Sequence, residues 1–316
     1  MLAPTLVALG GNSLLEPSGP TSVQSQFSVT AAAMVPVAEL IERGEHLVIT
    51  HGNGPQVGFM QLRSELAKGL LHEVPLDSLD ADSQGALGYM IQRCLREELE
   101  RRNLDVEIAA LVTEVEVDPK DPAFERPTKP IGKFYSAPEA ALLKKERGWQ
   151  MVEDSKRGYR RVVASPLPQR IVELRTIRRL VDAGVVVIAC GGGGIPVANT
   201  PDGHIRGLEA VIDKDLASAL LAFGLGVKRM LITTGVDAVY ADYHDPVRRR
   251  ALRETTASEL SALAAQGQFP PGSMGPKIAA ALQFLAQGGE EVVICSPQAL
   301  ADAWAGRAGT RIRKEK

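Results

Sequence analysis

The chain has 316 residues, 45% of them hydrophobic and 23% charged, which is the balance of a globular protein. Its net charge of −2 provides no general basic field, so we expect neither nucleic acid nor membrane as a partner. Its three cysteines show neither zinc spacing nor a disulfide framework, and we find no signal peptide or apolar run of membrane-spanning length. We therefore expect a cytoplasmic protein.

Apolar strands alternate with helices in the first part of the chain. Strands are predicted at 5–9 and 47–50, and each is followed by a turn rich in glycine and asparagine. The predicted helices and further strand are a helix at about 25–43, which Pro36 should kink or break, a helix at about 84–101 and a strand at 106–113. Continuous apolar strands between helices favour an α/β fold with a parallel sheet covered on both faces.

The segment from about 119 to 161 has a different character, with frequent prolines, dense charge and no strong periodicity. A long structureless loop inside a compact domain would be unusual. We therefore predict a small excursion that acts as a lid or protruding subdomain. Most of its basic residues are expected at the surface, but Lys133 stands between a glycine and two aromatic residues and is the least ordinary of them.

The alternation of strands and helices resumes at Pro168. The predicted elements are a helical stripe from Ile171 to Gly184, strands at 185–190, 230–234 and 292–295, and helices at about 258–266, from Lys277 and at about 299–304. Four consecutive glycines, 191–194, follow the strand at 185–190. Residues 311–316 are predicted to be a frayed basic tail.

The stretch from Val211 to Asp215 is where a helix should begin, because two apolar residues precede the charged triplet and a helical apolar pattern follows it. Asp213 is the natural N-cap, and Asp215 lies in the first turn. Lys214 is out of place there, since a cation opposes the helix dipole. It is either a solvated surface lysine or a residue that serves a ligand phosphate.

Five loops rich in glycine or asparagine could meet at one edge of the sheet, namely 10–13, 52–55, 191–194, 235–237 and 272–275. Ligands of open parallel sheets bind at the carboxyl ends of the strands. Lys133, Lys214 and Lys277 lie in or beside such loops, and lysines that converge on one phosphate would suit phosphoryl transfer. Each loop alone could be a plain tight turn, and none fits the P-loop or dinucleotide-binding pattern.

Taken together, these motifs resemble the carbamate kinases of the amino acid kinase family. The resemblance runs in order from about Thr5 to about Ser296. The residues that carry it are Leu9-Gly-Gly-Asn12, Thr50-His-Gly-Asn-Gly-Pro-Gln-Val-Gly58, Pro130-Ile-Gly-Lys-Phe-Tyr135, Ala189-Cys-Gly-Gly-Gly-Gly-Ile-Pro-Val197, Glu209-Ala-Val-Ile-Asp-Lys-Asp215 and Pro271-Gly-Ser-Met-Gly-Pro-Lys277.

The resemblance implies a single amino-acid-kinase domain, 1–316, folded as an open αβα sandwich around a mainly parallel eight-stranded sheet. A carbamate-binding half would cover about 1–205, including the protruding subdomain at about 119–161, and a nucleotide-binding half about 206–316. The implied reaction is reversible phosphoryl transfer between ATP and carbamate, which gives ADP and carbamoyl phosphate. It would need Mg²⁺, would be run toward ATP synthesis in arginine or purine breakdown, and would be carried out by a homodimer formed through the N-terminal half.

The resemblance also implies roles for individual residues. Lys214 and Lys277 would neutralise the phosphoryl oxygens, Asp215 would orient these lysines, and Lys133 would reach the substrate from the subdomain. The transferred phosphoryl group would be bound by Gly10, Gly11 and Asn12, and the carbamate by Gly52, Asn53 and Gly54. The nucleotide pocket would be lined by Thr233, Thr234, Gly235, Asp237, Tyr240, Met274 and Gly275. No protein ligand to a metal is assigned, because Mg²⁺ would be held mostly by phosphates.

Two other functions stay open at this point. A relative that phosphorylates another acid, such as acetylglutamate or aspartate, would need an arginine or a similar clamp for a second carboxylate, and loop 52–58 contains none. A non-catalytic nucleotide sensor descended from a kinase is the third possibility, although intact lysines and Asp215 argue against it. His51, beside the carbamate loop, is read as structural.

Overall fold

The computed structural model describes residues 3–16, 19–154, 157–270 and 272–315. The strands in these ranges are β1 (Thr5–Leu9), β2 (Leu47–His51), β3 (Ile108–Ala110), β4 (Glu114–Val117), β5 (Lys129–Tyr135), β6 (Met151–Glu153), β7 (Tyr159–Val163), β8 (Pro168–Ile171), β9 (Val186–Ile188), β10 (Ile195–Asn199), β11 (Ile205–Gly207), β12 (Arg229–Thr233), β13 (Val239–Ala241), β14 (Arg250–Leu252), β15 (Glu254–Thr256), β16 (Glu291–Cys295) and β17 (Thr310–Arg313). The α-helices are α1 (Val23–Glu42), α2 (Gly54–Leu66), α3 (Leu76–Arg101), α4 (Ala137–Arg147), α5 (Leu174–Asp182), α6 (Lys214–Leu225), α7 (Ala257–Ala265), α8 (Met274–Ala286) and α9 (Leu300–Trp304).

The central sheet has eight strands in the order β15-β17-β16-β12-β1-β2-β9-β3, and every neighbouring pair except β16–β17 is parallel. Along β1, Leu6 and Ala8 pack into one core cluster, whereas Val7 and Leu9 pack into the cluster on the other face. Helices α1, α3 and α9 cover this second face, and α5 to α8 cover the first. The predicted α/β sandwich with a mainly parallel eight-stranded sheet is therefore confirmed.

The four central strands β12, β1, β2 and β9 end side by side at one edge of the sheet. Leu9 is in register with His51, and the amide of Gly52 donates to the carbonyl of Leu9 across 3.1 Å. The amide of Ala189 donates to the carbonyl of Ile49. The turns that follow these strands consequently meet at the carboxyl edge, which is where ligands bind in open parallel sheets.

The described residues of the segment 119–161 form regular elements, as expected of a small subdomain and not of a structureless loop. Strands β5, β7 and β6 form a three-stranded antiparallel sheet, and α4 has its own small core with this sheet around Tyr135 and Trp149. Helix α2 contacts this sheet closely, because a Cβ on Gly58 would lie 2.1 Å from the Cα of Gly132. Val57 and Ile131 add a shared apolar cluster. The division of the chain into halves near residue 205 stays a prediction.

Several predicted element boundaries are wrong. Helix α1 runs without a break through Pro36, which is buried. Helix α3 begins at Leu76 rather than near 84, and α2 was not predicted at all. Within the predicted strand 106–113 only Ile108–Ala110 is a strand, and it forms the edge of the central sheet.

Two further corrections concern the C-terminal part. Ile171 ends β8, and α5 begins only at Leu174, so the predicted single stripe combines two elements. Residues 310–313 form β17 inside the central sheet instead of a frayed tail, because Ile312 is fully buried and Arg311 and Arg313 both donate to Glu291. No helix in the described ranges is long and apolar enough to cross a membrane.

Candidate active site

The start of α6 builds the centre of the site. Asp213 is the N-cap of the helix, and its Oδ1 accepts from the amides of Asp215 at 2.9 Å and Leu216 at 3.4 Å, as predicted for this stretch. Lys214 is 7% exposed and so is not a solvated first-turn lysine. Its side chain lies against the turn after β2, since a Cβ on Gly52 would be 3.7 Å from its Cδ.

Asp215 connects two lysines that are far apart in the sequence. Its Oδ1 accepts from Lys214 Nζ at 2.5 Å and its Oδ2 from Lys277 Nζ at 3.0 Å. Burial alone would raise the pKa of Asp215, but the two ammonium groups outweigh it and hold this pKa well below its usual range. Burial lowers the pKa of Lys214, whereas the ion pair with Asp215 overcomes burial and raises the pKa of Lys277.

The subdomain contributes a lysine to this cluster, and it is Lys129. Its Nζ lies 2.5 Å from Oδ2 of Asp213. Lys133 lies outside the cluster, exposed, with its ammonium 4.7 Å from the centre of the Tyr135 ring. The β5 register shifts between Ile131 and Tyr135, where Gly132 has a φ of +72°, so the simple alternation of side chains does not extend to Lys133. Lys129 directly precedes the motif at 130–135, which was the available signal for it.

The turn after β1 is tied to the end of β12. The amide of Gly10 donates to Thr233 Oγ1 at 2.7 Å, and the Ser13 hydroxyl lies 2.9 Å from the same atom. The backbone of Gly11 and Asn12 forms one turn of 3-10 helix, and the side chain of Asn12 lies outside the described part of the chain. The hydroxyl of Thr233 therefore holds the backbone of the predicted phosphoryl loop by accepting from the Gly10 amide.

The turn after β2 is supported by helix α3. The Asn53 amide donates to Asp80 Oδ1 and to Ser83 Oγ, both at 2.9 Å, and all three residues are buried. Burial raises the pKa of Asp80 well above its usual value, although the bond from Asn53 opposes this. The side chain of Asn53 thus anchors the loop, which leaves Gly52 and Gly54 as its parts nearest to the lysine cluster and the subdomain.

The glycine run after β9 packs beneath this loop. A Cβ on Gly191 would lie 2.4 Å from His51 Nε2, and one on Gly192 would lie 2.3 Å from Asn53 Nδ2. Close packing therefore requires glycine at both positions, and Gly192 also has a φ of +69°. Burial lowers the pKa of His51 to about 4, with Lys214 acting in the same direction and a hydrogen bond to the Gly52 carbonyl opposing it. The imidazole is consequently neutral near pH 7.

The residues predicted to line a nucleotide pocket surround the ends of β12 and the start of α8. Asp237 is exposed, and it accepts from Tyr240 Oη at 2.8 Å and from Arg253 at 2.9 Å. Thr234 and Gly235 follow β12 directly, and the Thr234 amide donates to the carbonyl of Cys295. Met274 and Gly275 begin α8, which also carries Lys277. Helix α8 therefore carries both predicted nucleotide-pocket residues and one lysine of the cluster.

The cluster carries more positive than negative charge. Three ammonium groups, those of Lys129, Lys214 and Lys277, face the two carboxylates of Asp213 and Asp215. Such a cluster suits an anion that adds further negative charge, because an incoming phosphoryl group would take over donors now bound to carboxylates. The chemistry that the geometry supports is phosphoryl transfer without a covalent intermediate.

Comparison with known proteins agrees with this site. Residues 4–296 match the model of the amino acid kinase family. The chain is 43% identical to the carbamate kinase of Pyrococcus horikoshii, with 97% of this chain and 98% of that protein covered, and 45% identical to the carbamate kinase-like protein YahI of Escherichia coli, with 98% of each covered. The carbamate kinase from Giardia lamblia bound to citric acid superimposes with a TM-score of 0.94 at 38% identity and 99% coverage of both chains. The chain therefore belongs to the amino acid kinase family, and it is a kinase whose relatives over nearly the full chain include carbamate kinases.

Proposed function

We propose that this protein is a carbamate kinase that transfers a phosphoryl group reversibly between ATP and carbamate. The observation that carries the proposal is the buried carboxylate of Asp215, which holds the ammonium groups of Lys214 and Lys277 together while the Lys214 side chain lies against Gly52. Two ammonium groups fixed by one carboxylate are preorganised for the three equatorial oxygens of a phosphoryl group in flight. The full-length similarity to carbamate kinases supports the choice of carbamate as acceptor.

In this proposal each loop has one task. The amides of Gly10 and Gly11, with Asn12, bind the transferred phosphoryl group, and the loop 52–54 binds the carbamate in line with it. Lys214 and Lys277 neutralise charge on the phosphoryl oxygens, and Asp215 keeps both lysines charged and oriented. The nucleotide lies along Thr233, Thr234, Gly235, Asp237, Tyr240, Met274 and Gly275. Catalysis then consists of positioning and charge stabilisation.

Mg²⁺ is the cofactor of this proposal. The described ranges contain no group of three His, Cys, Asp or Glu side chains placed to hold a metal ion, and both carboxylates of the cluster are already paired with lysines. This donor set fits a Mg²⁺ ion that arrives with the nucleotide and is held mainly by phosphate oxygens. When bound, the ion neutralises phosphate charge and orients the β- and γ-phosphates.

We place the enzyme in the cytoplasm, and we propose that it runs toward ATP synthesis in arginine or purine breakdown. Three free cysteines, all buried, fit a reducing compartment. The direction follows from the high-energy acyl phosphate, whose phosphoryl group passes readily to ADP. Carbamoyl phosphate and ADP are therefore the substrates of choice for an assay.

We further propose a homodimer formed through the N-terminal half. Strand β3 is an edge of the central sheet, and its outer side pairs with no other strand of the described ranges. Beside it, Tyr89 and Val112 are both more than half exposed and line a cavity of about 230 Å³ between α3 and β3. Light scattering of the purified protein tests this arrangement, and Tyr89→Glu should shift a dimer toward monomer.

The experiment that tests the function measures ATP formation from ADP, carbamoyl phosphate and Mg²⁺. The wild type should turn over, Lys214→Ala should lose most activity, and Lys228→Ala, at an exposed lysine paired with Glu290, should keep it. Higher activity on acetylglutamate or aspartate than on carbamate would identify a different acyl acceptor. ADP binding without turnover would instead support the sensor.

A further inference from the structure

Arg160 is a subdomain residue that no part of the proposed mechanism uses. It belongs to β7, and its side chain is 13% exposed. Its Nη1 donates to Asp154 Oδ2 at 3.2 Å, while its Nε is buried without a hydrogen-bond partner and its Nη2 has none in the described part of the chain. Burying a guanidinium with unpaired donors costs free energy, which indicates that this arginine has a role other than stabilising the fold.

The unused end of Arg160 is directed at the carbamate loop. A Cβ built on Gly54 would lie 4.0 Å from Nη2 of Arg160 and 3.8 Å from the carbonyl oxygen of Pro130. At the other end of the same loop, Gly52 contacts the side chain of Lys214. Because consecutive Cα atoms are about 3.8 Å apart, Gly52 and Gly54 can be separated by no more than about 7.6 Å. The loop therefore lies between the Lys214 side chain and the Arg160 guanidinium.

The position of Arg160 is set by the docked subdomain. Its guanidinium carbon lies 5.3 Å from the centre of the Phe134 ring, and the Arg157 guanidinium lies 4.5 Å from the same ring. The close contact of Gly58 with Gly132 and the ion pair between Lys129 and Asp213 hold this sheet against α2 and α6. Aromatic contact, the Asp154 pair and subdomain docking thus orient Arg160 before any substrate arrives.

We propose that Arg160 binds the carbamoyl end of the substrate and stabilises the carbamate leaving group. This inference rests on the proposed carbamate kinase activity. In the direction of ATP formation, the bond between the carbamate oxygen and phosphorus breaks while a β-phosphate oxygen of ADP bonds to phosphorus. The electron pair of the broken bond stays on carbamate, which becomes a carboxylate-like anion. Nε and Nη2 of Arg160 donate to that anion, whereas Lys214 and Lys277 serve the phosphoryl group.

The assignment also gives the acceptor site its charge. Loop 52–58 itself contains no arginine, and Arg160 approaches this loop from β7. Burial lowers the pKa of Arg160 and Asp154 raises it, yet an arginine stays charged at any working pH. One guanidinium with two free donors suits one small carboxylate, as in carbamate.

The test compares Arg160→Gln with Arg157→Gln, because Arg157 stacks on the same ring but is exposed. In the ADP plus carbamoyl phosphate assay, Arg160→Gln should lower kcat/KM for carbamoyl phosphate about 100-fold, with the KM for ADP unchanged. Arg160→Lys should recover part of the loss, and Arg160→Ala should be partly rescued by added guanidinium. Arg157→Gln should stay within about 3-fold of wild type.

The possible outcomes separate failure of the role of Arg160 from failure of the proposed kinase function. Wild-type turnover that Arg160→Gln retains overturns the role of Arg160 and leaves the kinase activity standing. Absence of wild-type turnover, with ADP still bound, overturns the proposed function and this inference with it. If Arg160→Gln loses turnover and ADP affinity together, and added guanidinium does not rescue Arg160→Ala, Arg160 is structural and the inference fails.

Discussion

Lys129 of strand β5 forms an ion pair with Asp213, the N-cap of α6, across 2.5 Å. This contact joins the subdomain sheet to the helix that carries Lys214 and Asp215. It also connects two parts of the chain that no local pattern relates. Asp213 directly precedes Lys214, so the ion pair places the Lys129 ammonium at the start of the helix that would bind the phosphoryl group.

We expect Lys129→Gln to lower kcat/KM for carbamoyl phosphate about 100-fold, since it removes an ammonium group beside the phosphoryl site. Lys133→Gln is the matched variant, because it removes the same charge from the same strand at an exposed position. Steady-state ATP formation measures both. A larger loss in Lys133→Gln than in Lys129→Gln would restore the role that the family resemblance implies for Lys133.

Asp215→Asn should both inactivate and destabilise the protein. The change leaves Lys214 and Lys277 as neighbouring buried cations without their shared counter-ion, and breaking a buried ion pair in this way costs about 3–5 kcal/mol. Thermal unfolding gives the stability, and the ATP-forming assay gives the activity. Asp302→Asn is the control, since it removes one partner of an exposed ion pair with Arg307 and should cost less than about 1 kcal/mol. Equal changes in Tm for the two variants would contradict the buried cluster.

Much of the site was predictable because its causes are local. A continuous apolar run followed by glycine and asparagine marks the ends of β1 and β2, and a capping aspartate before an apolar helical pattern marks the start of α6. Parallel strands then bring these turns to one edge of the sheet. For the same reason, the sequence alone could indicate that Lys214 serves a ligand phosphate.

Other parts depend on contacts between distant segments, which leave no periodic signal. Of α2, only Gln56 and Val57 are buried, because the helix packs through Gly58 against Gly132 and needs no apolar stripe. Lys129, and not the expected Lys133, reaches Asp213 from β5, and the approach of Arg160 to Gly54 joins β7 to a loop about a hundred residues earlier. Spacing along the chain cannot show such pairs.

The buried His51 should make the free energy of unfolding decrease as the pH is lowered below neutrality. Its pKa is about 4 in the folded protein and about 6.5 when unfolded. Between these pH values the unfolded chain is protonated at His51 and the folded chain is not, which stabilises the unfolded state. The contribution is complete above pH 6.5 and is lost as pH falls toward 4, with an upper size of about 3 kcal/mol. Denaturant unfolding at several pH values measures it.

The control for this prediction is the difference between wild type and His51→Gln. Asp80 acts in the opposite sense, because its raised pKa stabilises the fold at low pH and loses that contribution as pH rises. It is present in both proteins, so it cancels in the difference. An identical slope in His51→Gln would mean that the pKa of His51 is the same in the folded and unfolded states, which contradicts the prediction.

The final prediction concerns β17, where the sequence suggested a tail. Its residues alternate between the buried Ile312 and the arginines 311 and 313, and both arginines donate to the buried Glu291 of β16. The strand was not predicted because charged residues occupy every second position. It is held by ion pairs to Glu291 and by the burial of one apolar side chain, that of Ile312. Ile312→Ala should therefore lower the free energy of unfolding by about 2–5 kcal/mol, the range for emptying a well-packed core position. Lys314→Ala, two residues on and exposed, should change it by less than about 0.5 kcal/mol. If urea unfolding found both variants as stable as wild type, the end of the chain would be frayed in solution, and Glu291 would have to rely on Arg229 alone.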